Sequence, residues 1–409
     1  MKLLLFGAGA SIPFYPSLTT NYITEQILTW DNWERIIRLY NERSEYKINY
    51  EHLLTFLKNL KAQNTSANFE EICGCIDLIT NVFTDLGQNG YNKFDKTTNA
   101  LLNCNIFELK SAPIKNIKYL PYLYRCLITD ILLGVSKNII YDNLICQQQN
   151  FIKTFIEKEE KASIVSLNYD NVLNESIGNI FYNGFDRNRQ DIMPFSLRSF
   201  FQADKTISYL HGNVKFYYSL PDVQYSFEET LNTSERIEKL FLKRNLNEQH
   251  LISNVENHSY NVFIITGIEK NISMDYSPYN AYYTKFASDV CKSSSIISIG
   301  YSFKDEHVNR ILSSFLNIDI KNKVVIVDFN TENDVIIDDL VNPRNILYDI
   351  YRVFLCKITI NNSQEIKNIN TIGYGFITEQ ILYYKKGYES FLSEYKEVIA
   401  YFNNHIIKG

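Results

Sequence analysis

The chain has 409 residues, 45% hydrophobic and 21% charged, the balance of a globular protein long enough for a large core and two structural regions. A net charge of −5 removes the general electrostatic case for nucleic-acid binding, and no apolar run approaches the length of a membrane span. The seven cysteines are odd in number and form no Cys-x-x-Cys pair, so neither a disulfide framework nor a zinc knuckle is indicated and a cytoplasmic protein with reduced thiols is expected.

The first element is a hydrophobic strand, Leu3–Phe6, too short before Gly7 to be an export segment. It runs into Gly7-Ala8-Gly9-Ala10-Ser11, where small residues expose backbone N–H groups at the start of the next helix, the geometry that binds phosphate oxygens. The dinucleotide fingerprint would place a third glycine at position 12, which is Ile12, so on its own the loop reads equally as a plain strand-to-helix turn. The next 150 or so residues hold almost no strand-like run. Glu51–Leu60 and Phe69–Phe83 carry apolar residues at helical spacing, which predicts a mostly helical insertion over residues 21–159.

Further on, short continuous apolar runs recur: Ile164–Leu167, Ile207–Leu210, Val262–Ile265, Ile296–Ile299 and Val324–Val327. Continuous rather than alternating runs of this length are parallel strands covered on both faces, with helices between them. A polar insertion at Leu231–His258 precedes Val262, and Gln380–Ile406 reads as a C-terminal helix, closing an extension over 336–409.

Ligands of parallel α/β sheets bind beyond the carboxyl ends of the strands. Those ends carry Gly7 through Ser11, then Asn168-Tyr169-Asp170, His211-Gly212-Asn213, Gly300-Tyr301-Ser302 and Asp328-Phe329-Asn330. Each has a structural reading: Asn168 and Asp170 as caps, His211 as a satisfied core histidine, Ser302 and Asp305 as N-caps, Asp328 as a turn residue. Together they make one set of donors, a carboxamide, a histidine and an acid at a single sheet edge.

This set resembles the sirtuins. Gly7-Ala8-Gly9-Ala10-Ser11 is similar to the sirtuin phosphate loop, Asn168-x-Asp170 to its Asn and Asp, His211-Gly212 to its catalytic His-Gly, and Gly300-Tyr301-Ser302 to its ribose-binding step. Asp328 stands where sirtuins place an Asn on the adenosine side. The resemblance implies an α/β fold: a Rossmann-like parallel sheet with flanking helices, formed by residues 1–20 and 160–335, interrupted by the helical insertion. The chain departs from the deacylases. It lacks their two Cys-x-x-Cys pairs, has Leu167 in place of Gln, and continues the loop as Pro13-Phe14-Tyr15-Pro16 without Pro-Asp-Phe-Arg. Asn168-Tyr169-Asp170, His211-Gly212 and the Gly-Tyr-Ser-x-x-Asp run from Gly300 to Asp305 are instead similar to the bacterial sirtuin-like NAD hydrolases of antiphage defence. That branch implies NAD+ as substrate, no metal, homo-oligomerisation, and a HerA-type ATPase as partner.

Nicotinamide leaves NAD+ as a neutral base without protonation, so no general acid is required. The protein must hold ribose and pyrophosphate, stabilise positive charge and place water on the anomeric carbon. Asn168 has both a donor and an acceptor for orienting ribose and water, and a histidine such as His211 can take a proton near neutral pH. The resemblance assigns Asp170 to the nicotinamide carboxamide, Ser11 with Gly7, Ala8 and Gly9 to the pyrophosphate, and Gly300, Ser302 and Asp328 to the adenosine side. The competing expectations are an NAD-dependent protein deacylase and a non-catalytic sensor of NAD or ADP-ribose.

Overall fold

The computed structural model describes residues 1–43, 50–89, 120–136, 142–157, 159–185, 195–219, 224–227, 264–266, 274, 277–330, 345–354 and 363–405. The polar insertion expected at Leu231–His258 lies outside the described residues.

Five of the six apolar runs form strands of one sheet: β1 (Lys2–Phe6), β2 (Ala162–Ser166), β3 (Lys205–Tyr209), β6 (Ser295–Ile299) and β7 (Lys323–Val327). Their side chains are buried on both faces, as continuous β-branched and leucine runs require. Two strands from the C-terminal region, β8 (Tyr374–Phe376) and β9 (Ile381–Tyr384), complete the sheet in the order β3-β2-β1-β6-β7-β9-β8. All neighbours are parallel except β8 on β9. A separate antiparallel pair, β4 (Phe216–Ser219) with β5 (Gln224–Phe227), follows β3. Helix Tyr279–Lys292 packs on β2 and β3, and helix Gly387–Asn404 packs on β7 and β9.

The chain runs outward from β1 to β2 and β3, then returns to the other side of β1 to form β6 and β7. The reversal opens a crevice between the carboxyl ends of β1 and β6, the position where open α/β sheets take ligands. Between β1 and β2 lie helices Thr20–Ile27, Trp30–Arg43, Tyr50–Gln63, Phe69–Asn89, Leu120–Ser136 and Asp142–Ile156. The first five pack on one another around a fully buried ion pair. Arg125 Nη1 and Nη2 each donate to one carboxylate oxygen of Asp77 at 2.9 Å.

Three expectations need correction. Gln380–Ile406 is not one helix: Ile381–Tyr384 is fully buried strand β9, and Gly387, at φ +84°, separates it from the helix that follows. Covered on both faces by its place in the sheet, that run satisfies helical spacing by accident. Of Val262–Ile265, Ile264 makes an isolated bridge to Gly212, and the residues before it lie outside the described ones. The loop after β1 does not open a helix directly, since a single 3-10 turn at Ala8–Ala10 leads through further turns to a helix starting at Thr20.

Candidate functional site

The β1 and β6 loops cross at the crevice backbone to backbone. Gly7 N–H donates to Ile299 O and Gly9 N–H to Gly300 O, both at 2.9 Å. Gly300 has φ +61°, and a Cβ on it would lie 2.3 Å from the Ala10 nitrogen, so only glycine fits. The amides of Ala10 and Ser11 donate to Gly7 O and Ala8 O. Four of the loop's five N–H groups are thereby engaged inside the protein, which corrects the expectation of an open row of phosphate donors. The crossing instead fixes the floor of a cleft of about 880 Å³, within the range of small-molecule sites. Gly7, Ala8, Gly9, His211, Gly300, Ser302 and Asp328 line it.

Ser11 and Asp170, both buried, and the half-buried Asn168 are joined in a directed chain next to the β1 loop. Asn168 Nδ2 donates to Ser11 Oγ at 2.8 Å, and the Ser11 hydroxyl donates to the Asp170 carboxylate. Asp170 Oδ1 also accepts from Val172 N–H at 3.0 Å, at the start of helix Val172–Ile177. Burial pushes the Asp170 carboxyl up, against the lowering pull of the Ser11 and Val172 bonds. A carboxylate only accepts, so it sets the direction of the chain: Ser11 must donate to Asp170 and therefore accepts from Asn168. The Asn168 amide is thus held with its nitrogen on Ser11, and its Oδ1 is buried with no hydrogen-bond partner among the described residues. Asp170 is buried against Ser11 and Val172 and is not among the residues that line the cleft, where a carboxamide would meet it.

His211 follows β3 and is 8% exposed. Its loop is tied to that of Asn168: Asn213 Nδ2 donates to Asp170 O at 2.9 Å and Val214 N–H to Tyr169 O at 2.8 Å. On the other side, Ile265 N–H donates to His211 O at 2.7 Å. The imidazole Nε2 lies 2.8 Å from Asp305 Oδ2. His211 is therefore both a satisfied, nearly buried histidine and part of the cleft wall.

At the far end, Asp328 Oδ2 accepts from Tyr383 OH at 3.0 Å, and burial pushes its carboxyl up, opposed by the bonds from Phe329 N–H and Tyr383. Ser302 is exposed at the rim, followed by Phe303 in the left-handed region at φ +58°. Asn309 Nδ2 holds the Phe303 carbonyl at 2.7 Å, and the Phe303 ring packs on Tyr301.

Two contributors were not read from sequence. Asp305 stood there as a helix cap and as the last residue of the Gly300–Asp305 motif, not as a partner of His211. Glu70, at the start of helix Phe69–Asn89, lines the cleft, and its Oε1 lies 2.7 Å from Tyr169 OH, which is also 3.0 Å from Ile265 O. The Glu70 contact needs the helical region folded against the sheet, and no local pattern announces it. Among the described residues no group of three or more His, Cys, Asp or Glu is placed to hold a metal ion.

No curated protein sequence matches the chain. Solved structures with similarity include Sir2Tm bound to a propionylated peptide, at 12% identity, TM-score 0.30 and 81% coverage of each chain. Sir2 with an inhibitor, 2'-O-acetyl-ADP-ribose and a deacetylated p53 peptide gives 13% identity and TM-score 0.32, covering 87% of this chain and 93% of that one. Sir2 with a p53 peptide and NAD+ gives 14% identity and TM-score 0.31, covering 87% and 92%. The family model described as a SIR2-like domain matches residues 162–336, the stretch that holds Asn168, Asp170, His211, Gly300, Ser302 and Asp328.

Proposed function

We propose that the protein is an NAD+ glycohydrolase, cleaving NAD+ with water to nicotinamide, ADP-ribose and a proton. The observation that carries the reading is the Asn168 carbonyl: buried, fixed in direction by Ser11 and Asp170, and lacking a donor among the described residues. An orphaned buried acceptor costs about 1–3 kcal/mol, which a ribose hydroxyl or a positioned water offsets on binding. His211, in the wall of the cleft, is the proton acceptor.

In the reaction the bond between the ribose anomeric carbon and the pyridinium nitrogen breaks, and its electron pair neutralises the nicotinamide. Water adds to the anomeric carbon of the oxocarbenium-like ribose, oriented by Asn168 Oδ1. Its proton passes to His211, directly or through a ribose hydroxyl, and then to solvent. Gly7, Ala8 and Gly9 hold the pyrophosphate by close approach, and Gly300, Ser302 and Asp328 hold the adenosine side. Asp170 and Ser11 act through Asn168. The sirtuin-like resemblance extends this reading to depletion of cellular NAD+ in antiphage defence, with activity gated by self-association or by a HerA-type ATPase.

The test is incubation of the full chain with NAD+, with and without the product of the neighbouring gene, following nicotinamide and ADP-ribose. Asn168→Ala and His211→Ala should each abolish release while leaving the circular-dichroism spectrum unchanged. Release at the wild-type rate in either variant contradicts the assignment. O-acyl-ADP-ribose formed only with an acylated peptide would indicate a deacylase, and nucleotide binding without nicotinamide a sensor.

A further inference from the structure

Asp305 uses its two carboxylate oxygens for different tasks. Oδ1 caps helix Glu306–Leu312, accepting from His307 N–H at 3.0 Å and Val308 N–H at 3.2 Å. Oδ2 meets His211 Nε2 at 2.8 Å, and the two side chains are only 8% and 10% exposed. The backbone around it is pinned: Tyr301 OH lies 3.1 Å from Asp305 O and 2.7 Å from Asn309 Oδ1, and Asn309 N–H donates to Asp305 O at 2.9 Å. The carboxylate can neither rotate away from the helix end nor leave the histidine without stranding a donor.

We propose that Asp305 is a positioning residue that fixes the tautomer of His211. A carboxylate oxygen can only accept, so the neutral imidazole must carry its proton on Nε2. The lone pair is then on Nδ1, the ring nitrogen that the Asp305 contact leaves over. Nδ1 is the atom that takes the proton from the attacking water or from the ribose hydroxyl that relays it. The resulting imidazolium donates from Nε2 to the Asp305 carboxylate until Nδ1 returns the proton to solvent. This assignment rests on the reading of His211 as the proton acceptor in NAD+ cleavage.

The double use supplies a sharp test, because Asn caps a helix about as well as Asp. In Asp305→Asn the two backbone N–H groups still require an acceptor, so the amide oxygen stays at the helix end and the amide nitrogen faces His211 Nε2. That nitrogen is a donor, and the imidazole must answer with a lone pair on Nε2 and its proton on Nδ1. The fold is retained while the base is turned the wrong way round.

The experiment is 15N NMR of the histidine-labelled full chain, with His211 assigned by the signals missing from His211→Ala, alongside nicotinamide release. Wild type should show the Nε2–H tautomer and Asp305→Asn the Nδ1–H tautomer. Release in Asp305→Asn should fall by about 10²–10⁴-fold through kcat, with KM little changed and thermal unfolding close to wild type. Asp305→Ala, which loses the cap as well, should fall in both activity and stability. An unchanged tautomer, or wild-type release in Asp305→Asn, overturns the proposal. If the tautomer switches but His211→Ala still cleaves NAD+, the positioning stands and the catalytic reading of His211 fails.

Discussion

Asn168, His211 and Asp328 are single side chains whose chemistry depends on what holds them, and the same residue type in solvent would do little. Asn168 is useful because Asp170 and Ser11 remove its freedom to flip. In the proposed binding mode Asp328 holds the adenosine end, far from the bond that breaks, so Asp328→Asn is expected to raise KM for NAD+ more than it lowers kcat, as steady-state kinetics will show. The same substitution has a pH signature. Burial raises the Asp328 carboxyl, so the folded state holds that proton more tightly than the unfolded chain. This contribution to stability is full below the ordinary carboxylate value and is lost as pH rises through the raised value. Asn has no such loss. The stability of Asp328→Asn relative to wild type, from urea unfolding at a series of pH values, should therefore rise across that window and level off above it.

At the scale of elements, the sequence made the parallel strands legible because strands covered on both faces must be continuously apolar, as in Leu3–Phe6 and Val324–Val327. The residues at their ends were legible for the same reason, since the ends of such strands are where a ligand sits. What was not legible depends on contacts distant in sequence. β9 looked helical because its spacing fits either period, and only the β7 partner decides. The link from the helical region to the site was hidden likewise. Arg125, held by Asp77, donates from Nη2 to Thr266 O at 2.8 Å, and the neighbouring Ile265 amide holds the His211 carbonyl. Arg125→Met leaves Asp77 buried and unpaired, and should destabilise the protein by about 3–5 kcal/mol in denaturant titration. Adding Asp77→Leu should restore most of that loss. A single variant as stable as wild type would show that the pair is not buried in solution.

Across the whole molecule, the sheet binds the two ends of the chain into one core. Residues of β9 and the final helix, Ile381, Leu382, Tyr383, Tyr384, Tyr388, Phe391, Leu392, Tyr395, Val398 and Phe402, are all buried. At about 1.5–3 kcal/mol per side chain, losing even a part of that burial is large against the net 5–15 kcal/mol that holds a typical domain together. A chain ending at residue 379 is therefore expected to lack a cooperative thermal transition, while a soluble, cooperatively melting product would contradict that dependence. Nor does any described helix have the length and apolarity to cross a membrane.

Hydrolysis of NAD+ in this cleft, as proposed, breaks the glycosidic bond with water as the acceptor. It is tested most directly by measuring products from NAD+ and the full chain in buffer containing no acylated peptide, in the presence of its partner where one is needed. Nicotinamide and ADP-ribose are expected in equal amounts, with neither formed by Asn168→Ala. Intact NAD+ under conditions where the protein binds it, or equal cleavage by Asn168→Ala, would contradict it.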